Sequence, residues 1–256
     1  MSSMASVYGA KTWRSCVQLG MAVLLLASSG CATIQGEPAP YDPLERLNRT
    51  MFDFNDSVDE YVLKPVATGY KAITPEFVRN RVGNFFSNLF EPTIIINDLL
   101  QGKIVAAFGD TGRFLINTTM GIGGLFDVAT PMGFVKHEED FGQTLGAWGI
   151  PAGPYLVLPF LGPKNLRDGV GWAGDWATGA TTHVEPSSAA WGAFALEVVD
   201  IRARMLGTKD VLQQAAAGDQ YIFVREAYRQ RRLNLVHDGN PPAENGAAED
   251  ELLFGK

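Results

Sequence analysis

From Phe141 to Pro163 the chain runs 23 residues without one charged side chain, yet the stretch holds four prolines and five glycines. That composition forbids a continuous helix, because proline removes a backbone donor and clashes with the preceding turn. It also cannot face hydrocarbon all round, since free backbone groups there cost several kcal/mol each unless buried in protein or lining a wet cavity. Two readings remain. The segment is a re-entrant hairpin against a membrane or pore, or a buried loop of a soluble core.

The N-terminus bears on that choice. Lys11 and Arg14 precede an apolar run, Val17 to Ala27, which ends in Ser28-Ser29-Gly30-Cys31, with no acidic residue before Glu37. A basic start, a short apolar middle and small residues at the cut are the layout of an export signal. The run falls short of the ~20 apolar residues a membrane span needs. The four residues at its end resemble a lipobox, so residues 1–30 read as a lipoprotein signal peptide and Cys31 as the lipid attachment point; the bland reading is a secreted protein with a chance cysteine. Ile34 to Pro40 reads as a tether, giving residues 31–40 to the lipid-bearing linker.

Cys16 leaves with the signal, so no disulfide is available afterwards and the fold must stand on its core or on a membrane. Without Lys11 and Arg14, 19 basic residues face 28 acidic ones, a balance of −9 that argues against nucleic acid as a partner. Part of the charge is local. Residues 237–256 are acidic and rich in Gly, Pro and Ala, the composition of a disordered tail. One domain over residues 41–236 is expected.

Within it the caps announce helices. Asp42-Pro43-Leu44-Glu45 reads as a capping carboxylate, a first-turn proline and a glutamate at the third place, followed by a stripe of Leu44, Leu47, Met51, Phe54, Val58 and Tyr61. Thr74-Pro75-Glu76 opens a second helix, which Pro92 is expected to end. Further helices are read over Ile94 to Leu100, Lys103 to Thr118, from Ser187 or Ser188 to Met205, and after the cap Asp219. The basic end of the last, Arg229, Arg231 and Arg232, suits a helix C-terminus. Strand-like alternation is nearly absent, and the fold class is mainly α. Phe85-Phe86, Ile94 to Ile96 and Leu99-Leu100 are expected to form broad exposed apolar faces.

Chemistry-bearing patterns are sparse. His137, His183 and His237 have no metal-ligand spacing and no nucleophile motif beside them, so no catalytic residue, metal or cofactor is assigned. His137-Glu138-Glu139-Asp140 could bind a cation, although such a run is more often a solvated turn. Gly121, Gly123 and Gly124 fail the phosphate-loop spacing at Phe126 and fit a tight turn between helices. Arg225 to Arg232 could meet anionic head groups or be a solvated helix end.

Longer stretches carry a resemblance: DPLERLNRTMFDFND (42–56), KPVA (64–67), NLFEP (88–92), INDLLQGK (96–103), RFLINTTMGIGGLFDVA (113–129), DFGQTLGAWGIPAGPYLVLPFLGP (140–163), LRD (166–168) and YIFVREAYRQRR (221–232). Together they resemble the MlaA family, also called VacJ lipoproteins, with the motifs in family order. The resemblance implies an outer-membrane lipoprotein that is not an enzyme. It implies removal of misplaced phospholipid from the outer leaflet and its delivery to a soluble periplasmic carrier of the MlaC kind. It also implies a membrane-embedded helical ring in the inner leaflet, with a central amphipathic channel, a Gly/Pro-rich hairpin, and a porin trimer alongside. The hairpin maps onto Trp148 to Tyr155, making Gly149, Pro151, Gly153 and Tyr155 the candidate channel-hairpin residues; Pro151 replaces a glycine of some relatives. The rival readings are a structural porin-associated lipoprotein and an envelope lipid hydrolase.

The signal pattern generates one direct expectation. Mass spectrometry of the processed N-terminal peptide should find Cys31 first and acylated, and Ala32 after it, rather than Asp, implies sorting to the outer membrane. Cleavage elsewhere, or a bare cysteine, removes the lipid anchor from the account.

Overall fold

The computed structural model describes residues 39–179, 187–207 and 218–242. Cys31, the signal segment, nearly all of the tether, His183 and most of the acidic tail therefore lie outside the described residues.

The described elements are α1 (Glu45–Val58), which passes through a π-helical turn (Asp59–Leu63) into α2 (Lys64–Ile73), then α3 (Glu76–Leu100) and α4 (Ile104–Thr119). After a short 3-10 turn (Thr130–Met132) come α5 (Phe141–Ala147), a hairpin of β1 (Tyr155–Leu158) and β2 (Gly162–Asn165), α6 (Leu166–Thr178), α7 (Ser187–Arg204) and α8 (Gln220–Val236). The mainly helical reading holds. Helices α3 and α4 pair along their lengths, α5 lies on α6, and α2 on α7.

Caps set several boundaries. Asp219 accepts from the amides of Tyr221 and Ile222 at the start of α8, as the sequence predicts. Asp140 does the same for α5 and Asn165 for α6. Asp42 does not cap α1, whose first turn has no side-chain cap. It is buried instead, accepting from Asn48 Nδ2 (2.8 Å), the Tyr221 hydroxyl (2.5 Å) and Arg225 Nη1 (2.9 Å). A carboxylate that binds a guanidinium from the last helix is held there by charge, which outweighs a single neutral amide.

The same cluster seats the hairpin. Asn48 Nδ2 donates to the Tyr155 carbonyl (2.9 Å) while its Oδ1 accepts from Val157 N (2.9 Å), so one side-chain amide stands in for a neighbouring strand along β1. Two turns on, Asn55 repeats the device with the Leu158 carbonyl and Phe160 N. Strand β1 pairs antiparallel with β2, Tyr155 opposite Asn165 and Leu158 opposite Gly162. These amides protect an otherwise open edge. Met51, Tyr155, Val157 and Tyr221 form the apolar core beneath, with Tyr221 edge-on to Phe52 and Tyr155.

Elsewhere the burial pattern is turned inside out. Among the described residues seventeen polar or charged residues are buried against ten apolar ones, the reverse of an ordinary globular interior. On α4, Asp110, Arg113 and Asn117 face inward at helical spacing, while Val105 (88 % exposed), Phe108 (75 %) and Leu115 face out. Helix α3 buries Asn88, Glu91, Asn97 and Asp98, and α7 buries Asp200 and exposes Trp191, Phe194 and Ile201. No helix among the described residues is long and apolar enough to cross a membrane.

Several expectations change. Pro92 does not end its helix; α3 continues through it to Leu100, because the polar face on both sides of it packs against α4. The charge-free segment is not wholly irregular, since α5 fits before its first proline and the hairpin after Pro154. Phe86 and Ile94 are buried, whereas Leu99 and Leu100 are exposed as expected. The α1 stripe reaches the core only in its middle, at Leu47 and Met51, leaving Leu44 and Tyr61 exposed.

Removing Asp42 should be costly, because Arg225 and Tyr221 would stay buried without their acceptor. We expect Asp42→Ala to lower stability by about 3–5 kcal/mol, read as the shift in chemical denaturation of the purified protein. Asp42→Ala and Arg225→Ala together should cost less than the sum of the two.

Candidate functional site

Of the four candidate channel-hairpin residues, Gly149, Pro151 and Gly153 lie on the irregular link before the β-hairpin and Tyr155 is the first residue of β1. Gly149, Pro151, Gly153 and Tyr155 all line one cavity of about 210 Å3, closed on its other sides by Tyr41, Arg167, Tyr228 and the α8 residues Leu233 and Val236. Trp148 to Pro154 is the irregular link between α5 and β1. Its course is fixed by hydrogen bonds from Ile150 N to the Leu145 carbonyl, Arg167 N to the Ala152 carbonyl and Leu166 N to the Pro154 carbonyl. The Trp148 indole donates to the Leu100 carbonyl (3.0 Å), tying the link to the end of α3. Gly149 has φ +84° and Gly153 φ +69°, backbone states that L side chains reach only with strain. Tyr155 belongs to the core as well as the cavity wall: its ring is buried and its hydroxyl has no partner.

The cavity's polar wall is an ion-pair lattice. Arg232 bridges Asp140 (Nη1–Oδ2 2.5 Å) and Asp168 (Nε–Oδ2 2.7 Å), joining α8 to the cap of α5 and the first turn of α6. Burial works against the charged form of Asp140, but the Arg232 hydrogen bonds prevail and hold its carboxyl below the usual value. The Tyr228 hydroxyl donates to Asp168 (2.5 Å) and accepts from Asn165 N.

A second polar seam runs between α3, α4 and α5. Glu91 binds Arg113 Nε (2.9 Å) with both side chains almost inaccessible, and Arg113 Nη2 reaches Asp127 (2.8 Å). Although burial opposes it, hydrogen bonds from Thr130 and Arg113 pull Asp127 down to about 2. Thr144 donates to Asn97 Oδ1 (2.7 Å), and Asp175 accepts the Phe141 amide (3.0 Å) while burial lifts it to about 6.

At the α3–α4 end of the seam, His137 Nδ1 lies 2.8 Å from Asp110 Oδ2, and Asp98 stands beside Asp110. Both Asp98 oxygens and Asp110 Oδ1 are buried without a donor. Such a pair is satisfied when one carboxyl carries a proton and gives it to the other.

The other sequence candidates are absorbed by pairing. The 137–140 run is neither a cation site nor a free turn: Glu138 pairs with Arg231, Glu139 with Lys103, Asp140 with Arg232. No group of three metal-ligating side chains occurs among the described residues. Gly123 and Gly124 form the turn after α4. Arg225 and Arg232 are buried in ion pairs rather than offered to head groups or to a helix dipole. Sequence reasoning missed the inward polar residues, although Asp110, Arg113 and Asn117 already stand at helical spacing opposite an apolar face.

Fold and site together define a helical protein that is polar within and apolar without. Comparison with known proteins gives the particular one: the MlaA lipoprotein family model matches residues 40–235, and the chain belongs to that family. It is 38% identical over 244 residues to the Escherichia coli (strain K12) intermembrane phospholipid transport system lipoprotein MlaA, covering 92% of this chain and 93% of the relative. The Haemophilus influenzae protein of the same description is 34% identical over 224 residues, 83% of this chain and 86% of its own. A solved structure concerned with the structural basis for maintenance of bacterial outer membrane lipid asymmetry superposes with a TM-score of 0.67 at 38% identity, covering 78% of this chain and 99% of that one.

The acid pair gives a pH dependence. Burial, then the neighbouring Asp110, pushes Asp98 up to about 7, against roughly 3.9 for a free aspartate. The folded chain thus keeps a proton that the unfolded chain has released, and the associated stability is present in acid and lost as pH rises through about 7. Asp98→Asn should flatten that slope and raise the free energy of unfolding near pH 8 by on the order of 1 kcal/mol, with little change near pH 4. A slope unchanged by the substitution places the proton elsewhere.

Proposed function

We propose that this protein is an outer-membrane lipoprotein of the intermembrane phospholipid transport system. Anchored through Cys31 and seated in the inner leaflet, it removes phospholipid from the outer leaflet through a central amphipathic channel. It passes the lipid to a periplasmic carrier of the MlaC kind, beside a porin trimer, and so maintains lipid asymmetry. The observation that carries this reading is the inverted burial, with Asp110, Arg113 and Asn117 inside α4 and Val105, Phe108 and Leu115 outside. An apolar coat suits lipid tails. A polar interior lowers the cost of carrying a charged head group past hydrocarbon, and no covalent step is needed.

In this reading the Trp148 to Tyr155 link borders the lipid path and sets its opening. Gly149→Pro, the obvious stiffening change, is unsuited as a test, because proline requires φ near −65° and Gly149 has φ +84°. Gly149→Ala is cleaner: nothing lies within 4 Å of its added methyl, so its effect is on the backbone alone.

The test is transfer from proteoliposomes holding the full-length lipoprotein to the purified carrier. Intact lipid on the carrier supports transport, hydrolysed lipid indicates an envelope hydrolase, and no transfer indicates a scaffold. Gly149→Ala should slow transfer severalfold at a stability cost of about 1 kcal/mol. Equal rates with a folded variant would mean that the link is only structural.

A further inference from the structure

Arg81 differs from Arg113, Arg225 and Arg232. Its guanidinium carbon lies over two rings, 4.3 Å from the centre of Phe77 and 4.1 Å from that of Phe126, so two aromatic side chains crowd it. Its Nε is buried without a partner, and among the described residues no ion pair or hydrogen bond reaches any of its nitrogens. By contrast Arg113, Arg225 and Arg232 each hold two or more carboxylates.

With two rings against the guanidinium carbon, an anion approaches it at its nitrogen rim. With Nε sealed, the remaining edge is the end-on fork of Nη1 and Nη2, which matches two oxygens of one anion. The rings also hold the side chain in place, so little rotamer freedom is left to lose on binding. The surroundings favour a ligand with an apolar part. Phe77 itself is 60 % exposed, Val78 lies beside it, and Ile122 is exposed on the turn that carries Phe126; that turn is held to α3 by Asn84 Nδ2 on the Leu125 carbonyl.

We propose that Phe77, Arg81 and Phe126 form a binding site for the phosphodiester of a phospholipid, with the Arg81 fork on the two non-ester oxygens and the exposed apolar residues against the acyl chains. A phosphodiester presents one negative charge over two equivalent oxygens, so it completes the cation without leaving an excess. The choice of a lipid as the source of the phosphate rests on the proposed transport of phospholipid; the anion chemistry does not.

The test is binding to the full-length lipoprotein in neutral detergent, using short-chain phosphatidylglycerol, the corresponding diacylglycerol and inorganic phosphate as separate probes, with native mass spectrometry as readout. Arg81→Gln should weaken phosphatidylglycerol roughly tenfold and leave diacylglycerol unchanged, with Arg81→Lys losing part of the affinity because it keeps the charge but not the fork. Equal binding of phosphatidylglycerol by wild type and Arg81→Gln overturns the site. Inorganic phosphate binding as tightly as the lipid overturns the lipid assignment. Should Arg81→Gln fail to fold, Arg81→Lys decides: wild-type affinity there refutes the fork, and a loss supports it. Wild-type transfer to the carrier, measured alongside, reports on transport itself, so its absence would sink that reading without altering the binding result.

Discussion

A buried guanidinium must be matched, and the match of Arg225 with Asp42 decides how the two ends of the domain meet. Asp42 sits before the first helix and Arg225 in the last, and between them Tyr221 and Asn48 bind the same carboxylate. Asn48 then hands the order on to β1 through its amide. Loss of this acceptor would disturb the hairpin, the apolar core under it and the wall of the cavity together, because Tyr155 belongs to all three and packs edge-on against Tyr221. The segment richest in glycine and proline can therefore be irregular over Trp148 to Pro154 while its two ends stay fixed.

Helices whose ends are announced locally were legible, whereas α2, α5 and α6 were not read from the sequence. Asp219 and the Thr74-Pro75-Glu76 start depend on a few neighbouring residues, and they fall where the sequence puts them. Asp42 has the same local signature and a different fate, since its partner lies 183 residues away and carries a full charge. Pro92 likewise reads as a stop when taken alone. The short hairpin was missed because its strands are four residues each, and β2 contains Gly162, Pro163 and Lys164, which carry no strand alternation.

The apolar stripes themselves were found, but not which way they face. A stripe of Val105, Phe108 and Leu115 has the same period whether it turns toward a core or toward the outside. The direction is decided by the opposite face, where Asp110, Arg113 and Asn117 find Glu91, Asp127 and His137. Those partners come from α3 and from the loops after α4, so no single window contains the answer. Gly149, Pro151, Gly153 and Tyr155, four positions within seven residues, line one cavity, whereas Arg229 and Arg232, which also line it, read from sequence as a solvated helix end.

Among the described residues the buried arginines are matched by carboxylates, while some acids are not: Asp175 and Glu197 form no ion pair and burial raises both. Arg113, Arg225 and Arg232 are each surrounded by carboxylates, so none of them is available to an outside anion without breaking a bond already made. Asp98 with Asp110 is an excess of buried acid, and a proton is the smallest cation that balances it. Arg81 is the converse, a cation crowded by two rings and without a carboxylate among the described residues. A small neutral solute would gain little at either place, because each lacks charge rather than shape. Under the proposed transport, buried groups that are already paired would hold a passing head group only weakly, because binding it means giving up a bond already made. On the same proposal retention falls to positions without a partner, and Arg81, beside exposed Phe77 and Val78, is the cation among them.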